Sequence, residues 1–124
     1  MPNVDHQDLP EGLKQNFYAV LNQIQMPYMR YFLSLDVRPV LDDVTCPVLA
    51  VNGTKDIQVE YSTNLGALND SLGDNVRNRI VSVDGVNHLF QHCTTGAISE
   101  YREIEETISP KVLEMIVEWV SGLR

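Results

Sequence analysis

The 124 residues suffice for one domain, which at that length buries roughly two-thirds of its unfolded surface. Hydrophobic residues at 44% and charged residues at 21% are ordinary for a globular chain; no apolar run approaches the ~20 residues of a membrane span, and the opening MPNVDHQDLP lacks the basic and apolar regions of a secretory leader, so no compartment is assigned. A net charge of −8 argues against non-specific nucleic-acid binding, which needs clustered Lys and Arg.

Residues 8 to 25 read as an amphipathic helix, capped by Asp8 with Glu11 three residues on, and with Leu13, Phe17, Leu21 and Ile24 at helical spacing. Pro27 interrupts this pattern, and a second helical stretch, YMRYFLSL, follows until Pro39 ends it. After a short turn, VLDDVTC, the apolar run Val48 to Val51 reads as a parallel strand covered on both faces, punctuated by Pro47 and Asn52-Gly53. Cys46, at the mouth of that run, is expected to be a small buried residue.

The segment STNLGALNDSLG predicts a helix with Ser62 as cap, Leu65, Leu68 and Leu72 on one face and Gly73 as stop. A second strand, RIVSV, spans 79 to 83. Residues 94 to 108 read as loop with a short acidic helix, and the run EYREIEE at 100 to 106 as a solvated face. The chain closes on a helix in SPKVLEMIVEWVSGLR, with a Ser-Pro start and an inward face of Val112, Leu113, Ile116 and Val120. The expected architecture is therefore α/β: a helical arm over residues 1–44, then a βαβα unit of a parallel sheet over 45–124.

Parallel topology has a chemical consequence. Both strands end at one edge of the sheet, where open α/β sheets gather ligands and reactive groups. The loop after Asn52 carries Asp56, and the loop after Val83 carries His88. A carboxylate that accepts the Nδ1 proton of an imidazole fixes its tautomer and stabilises the imidazolium. An aspartate that caps a turn and an inert loop histidine account for the same residues on spacing alone. The group His88, His92, Cys93 and Asp84 invites a metal reading, but it lacks the Glu and the helical period of an HExxH site. Cys46 and Cys93 form no metal-ligand spacing, and NGTKD matches no phosphate-binding loop. Neither metal nor cofactor is expected, and His92 receives no role.

Taken together, CPVLAVNGTKDIQV and GVNHLFQHCTTG resemble the C-terminal part of an α/β-hydrolase, nearest to its esterase-like, dienelactone-hydrolase and serine-peptidase-related branch. In that family a strand of type PVL-x-x-x-G leads to the triad acid in G-x-x-D-x-x-V, matched here by Gly53 to Val59 with Asp56 as the acid. The triad histidine follows the last strand in G-x-x-H, matched by Gly85 to His88. The lead-in FLSLDVRPVLDDVTCPVL and the EYREIEETISP segment are also similar to the family, and the likeness spans residues 26 to 121. It implies hydrolysis of a carboxylic ester, with an amide or peptide bond as the lesser alternative, by a serine that His88 activates and Asp56 supports.

The family's serine lies upstream in a G-x-S-x-G elbow, and no G-x-S-x-G occurs in this sequence. The resemblance therefore implies the last third of a hydrolase, inactive alone. A homo-oligomer, most simply a dimer that pairs sheet edges or exchanges the helical arm, is the expected state. The alternatives are a non-catalytic interaction module on a hydrolase scaffold, or one half of a two-chain hydrolase whose N-terminal half is encoded separately.

Overall fold

The computed structural model describes residues 10–124, which divide between Asp36 and Val37 into two units. The expected division at residues 44 and 45 falls inside the second of these. The Asp8 cap lies outside the described residues. Helix α1, Glu11–Gln25, starts on Pro10, whose carbonyl accepts from the N–H groups of Leu13 and Lys14 with no side-chain cap. Met26 is extended, as the residue before a proline prefers, and Pro27 opens α2, Pro27–Ser34.

Helix α2 stops well short of Pro39. The Ser34 hydroxyl donates to the Tyr31 carbonyl, a local bond that competes with the helix, and Leu35 is extended. Neither helix buries a residue, and Leu13, Phe17, Val20 and Ile24 of α1 remain exposed. Of the stripe that helical spacing marks as apolar, Leu13, Phe17 and Ile24 are thus exposed and Leu21 is half-buried.

The second unit is mixed α/β. It opens with the short α3, Arg38–Leu41, where Pro39 sits in the first turn and its missing N–H costs no hydrogen bond. Strand β1, Leu49–Gly53, helix α4, Tyr61–Ser71, strand β2, Arg79–Val83, and helix α5, Pro110–Ser121, follow in the expected order. A 3-10 turn at Ile98–Arg102 lies between β2 and α5. The strands pair in parallel, Leu49 with Arg79 through to Gly53 with Val83, and form a two-stranded sheet. Leu49, Ala50 and Val51 are half-buried rather than covered on both faces; among the described residues α4 is the helix in substantial contact with β1.

Helix α4 packs against both strands and α3. Its cap is Glu60, not Ser62: the Glu60 carboxylate accepts from the N–H groups of Ser62 and Thr63, and the Ser62 hydroxyl donates to it as well. These bonds, led by those from Thr63, hold the Glu60 carboxyl at about 2. Cys46 is exposed, because it lies in a bend ahead of the strand rather than in it.

On α5 the inward stripe is Val112, Met115 and Trp119, while Leu113, Ile116 and Val120 are exposed. The small core beside α5 covers only one row of the helix. The core is small: buried Val83, Val86 and Val112, with Val51, Phe90, Ile108 and Met115 packed around them. It lies where the end of β2, the loop after it and the start of α5 meet.

Candidate active site

Backbone hydrogen bonds continue past the ends of the strands and bind the two loops into one body. Thr54 N–H donates to Val83 O at 2.9 Å, and Lys55 N–H donates to Val86 O at 3.1 Å. The Thr54 hydroxyl accepts from Gly85 N–H and donates to Asp84. The Lys55 ammonium reaches the carbonyls of Cys93 and Thr94 at 3.2 and 2.8 Å. Gly53 permits the close approach: a Cβ there would collide with Val86 O and lie 2.9 Å from Asn87 O.

Asp56 leaves this platform with every acceptor position used. Oδ1 accepts from the N–H groups of Gln58 and Val59, both at 2.9 Å. Oδ2 accepts from Asn52 Nδ2 at 3.1 Å and meets His88 Nδ1 at 2.9 Å. Burial pushes the Asp56 carboxyl up, but the bonds from Val59 N–H, the His88 ring and Gln58 N–H, with the charge of His88, outweigh it. The result lies below the usual carboxylate range, so Asp56 is ionised and can only accept.

The loop that offers His88 is folded around the buried side chain of Asn87. Asn87 Oδ1 accepts from the N–H groups of Leu89 and Gln91, and its Nδ2 donates to Gln91 Oε1. Val86 and His92 form an antiparallel bridge, and Phe90 turns the chain with a φ of 58°. The Phe90 carbonyl in turn accepts from Ser109 N–H at 2.7 Å, which joins the loop to the start of α5.

Since Asp56 only accepts, His88 Nδ1 donates, and the neutral ring carries its lone pair on Nε2. No described residue hydrogen-bonds Nε2, and the ring is partly exposed. This arrangement can take a proton at Nε2 while the buried carboxylate stabilises the imidazolium.

The remaining marked residues part company with this pair. His92 faces Glu106, with Nδ1 at 3.1 and 3.0 Å from its two oxygens and the backbone N–H donating at 2.6 Å. Among the described residues no group of His, Cys, Asp and Glu can hold a metal ion. Cys93 is half-buried against Gly85 O; burial first, then the charge of Glu100, push its thiol up against the opposing effect of Lys55. A thiol held in this way is a poor nucleophile at neutral pH.

The acidic run is not simply a solvated face. Glu100 accepts from the backbone N–H groups of Thr94, Thr95 and Gly96 and from the Thr95 hydroxyl. These bonds, led by that of the Thr95 side chain, hold its carboxyl at about 2.

Two residues that carry the site have no clear sequence signal. Asn52 reads as strand punctuation, yet its buried amide bonds both Asp56 and Val59 O. Asn87 precedes the histidine and organises the whole loop. Two surface concavities of about 380 and 400 Å³ lie elsewhere, over Leu49, Val81 and Trp119 and over Val51, Phe90 and Val112; neither is lined by Asp56 or His88. No protein-family model, curated protein or solved structure matches the chain.

Proposed function

We propose that the unit Val37–Arg124 supplies the acid and the base of a serine-type α/β-hydrolase acting on carboxylic esters. The observation that carries this is the Asp56–His88 hydrogen bond at the carboxyl ends of adjacent parallel strands, with Nε2 open. In the complete site Nε2 takes the proton of a serine hydroxyl as its oxygen attacks the ester carbonyl. The proton then passes to the departing alkoxide, and a second cycle with water releases the acid. Asp56 remains ionised throughout and holds the tautomer.

The serine is supplied from outside these 124 residues. No G-x-S-x-G is present, and none of the described serines hydrogen-bonds the His88 ring. A specific observation favours a second reading, an association module. The outer edge of β1 has no strand beside it among the described residues, and the exposed Ile116 and Val120 line the 400 Å³ concavity. A second copy, or the other half of the hydrolase, would cover these groups.

Hydrolysis of p-nitrophenyl acetate tests the two readings. The chain alone is expected to show no turnover above background. Turnover should appear on addition of a hydrolase segment carrying G-x-S-x-G, and His88→Ala should abolish it. Turnover by the mixture that survives His88→Ala would overturn the catalytic reading. A monomeric mass by light scattering at micromolar concentration would overturn self-association.

A further inference from the structure

Among the described residues, Asn52 is the one side chain that shares an oxygen of Asp56 with His88. Its amide donates to Oδ2 at 3.1 Å and to Val59 O at 3.3 Å, and it is buried. Oδ1 is already fixed by the Gln58 and Val59 N–H groups, so the carboxylate plane does not need Asn52 to orient it. What Asn52 changes is the charge available to His88. A hydrogen bond to a carboxylate stabilises its ionised form and lowers its basicity, and an oxygen with two donors binds each less strongly than it would bind one alone.

We propose that Asn52 is a positioning residue of the Asp56–His88 pair, which limits how strongly Asp56 draws on the imidazole proton. The inference rests on the reading of that pair as the acid and base of a hydrolase. Its chemical sense is specific. A base must release its proton to the leaving group as well as take it from the nucleophile. An undiluted buried carboxylate would stabilise the imidazolium so well that the second transfer would suffer. Asn52 spreads the negative charge of Oδ2 over two donors and keeps the imidazolium a usable acid.

The Nδ1 proton of His88 reports this directly by proton NMR on the full chain, with no need for a nucleophile. In Asn52→Leu, which keeps the branching at Cγ and cannot donate, the Nδ1–H resonance should move downfield, because Oδ2 then bonds His88 alone. If Asn52 were only a brace for the 52–59 loop, its removal would loosen the pair, and the resonance would move upfield or vanish. An unchanged, upfield or lost resonance in a folded variant therefore overturns the proposal. Should Asn52→Leu not fold, Asn52→Ser asks the same question, since its hydroxyl is too short to reach Oδ2, and the same downfield shift is expected. Asp56→Asn is the control for the underlying reading. It should abolish the downfield signal, and persistence of that signal would show that the pair itself is misassigned, whatever Asn52 does.

Discussion

His88 and His92 stand four residues apart, and each sets Nδ1 about 3 Å from a carboxylate, at 2.9 Å from Asp56 and 3.0 Å from Glu106. Distance alone makes them equivalent. The carboxylates are what differ. The Asp56 side chain is 5% exposed and accepts from four donors, two of them backbone N–H groups of its own loop; that of Glu106 is 27% exposed, and its bonds come from one residue. Their imidazoles are 40% and 58% exposed. A buried, fully bonded carboxylate is part of the fold and can hold an imidazole in one tautomer. An exposed one makes a local clasp, screened by solvent. Burial and bonding of the carboxylate separate a candidate catalytic pair from a structural imidazole–carboxylate contact of similar length.

The largest effect should come from prising the two loops apart. In Gly53→Ala the new methyl would meet two carbonyl oxygens of the chain that carries His88, and backbone cannot yield as a flexible side chain does. Urea denaturation should show a loss of more than about 3 kcal/mol, and the His88 Nδ1–H signal should disappear with the fold or before it. Stability within about 1 kcal/mol of the parent would mean that the loops are less closely joined than the bonds from Thr54 and Lys55 imply.

Removal of each carboxylate is a finer test of the same contrast. Asp56→Ala leaves the N–H groups of Gln58 and Val59 and the amide of Asn52 without their acceptor, and should cost about 2–3 kcal/mol. Glu106→Gln should leave the denaturation midpoint close to that of the parent, since the pair it breaks is open to solvent. Equal losses would dissolve the distinction drawn here, and a larger loss from Glu106→Gln would invert it.

How much of this was legible depends on the range over which each feature is decided. Strand β2 and the βαβα order follow from alternation and punctuation, and the rule that parallel strands end together brings the loops of Asp56 and His88 side by side; that the two side chains pair was expected only from the resemblance to a hydrolase. Those are local patterns joined by a single topological step. The partners of Glu60, Glu100 and Glu106 are not legible in this way, because each carboxylate turns back onto backbone N–H groups whose position depends on the folded loop. The inward stripe of α5 is ambiguous for another reason. Val112, Leu113, Met115, Ile116, Trp119 and Val120 are all apolar, and only the tertiary packing decides that Val112, Met115 and Trp119 are the ones covered. Asn52 is hidden because an asparagine before a glycine is read as a turn, whereas its value here lies in an amide aimed at the residue four positions on.

The smallest effect is in the acid limb of stability, where the two carboxylates again diverge. Asp56 is held below its ordinary value in the folded chain, so the unfolded chain binds more protons as pH falls. The stability it contributes is complete above the ordinary aspartate range, about 4, and is lost as pH falls through its lower folded value. Glu106 is also held low, chiefly by the His92 N–H bond, and its contribution has the same sign. It should be the shallower of the two, because its carboxylate faces solvent. Glu60 and Glu100, both held at about 2, add an acid-limb slope common to all three proteins; above that shared slope, denaturation midpoints measured between pH 6 and pH 2 should fall most in the parent, nearly as much in Glu106→Gln, and least in Asp56→Asn. The last variant starts lower at neutral pH because its amide cannot accept from four donors at once. If Asp56→Asn keeps the parent's slope, the acid sensitivity arises elsewhere, and the buried carboxylate is not the charge on which the site is built.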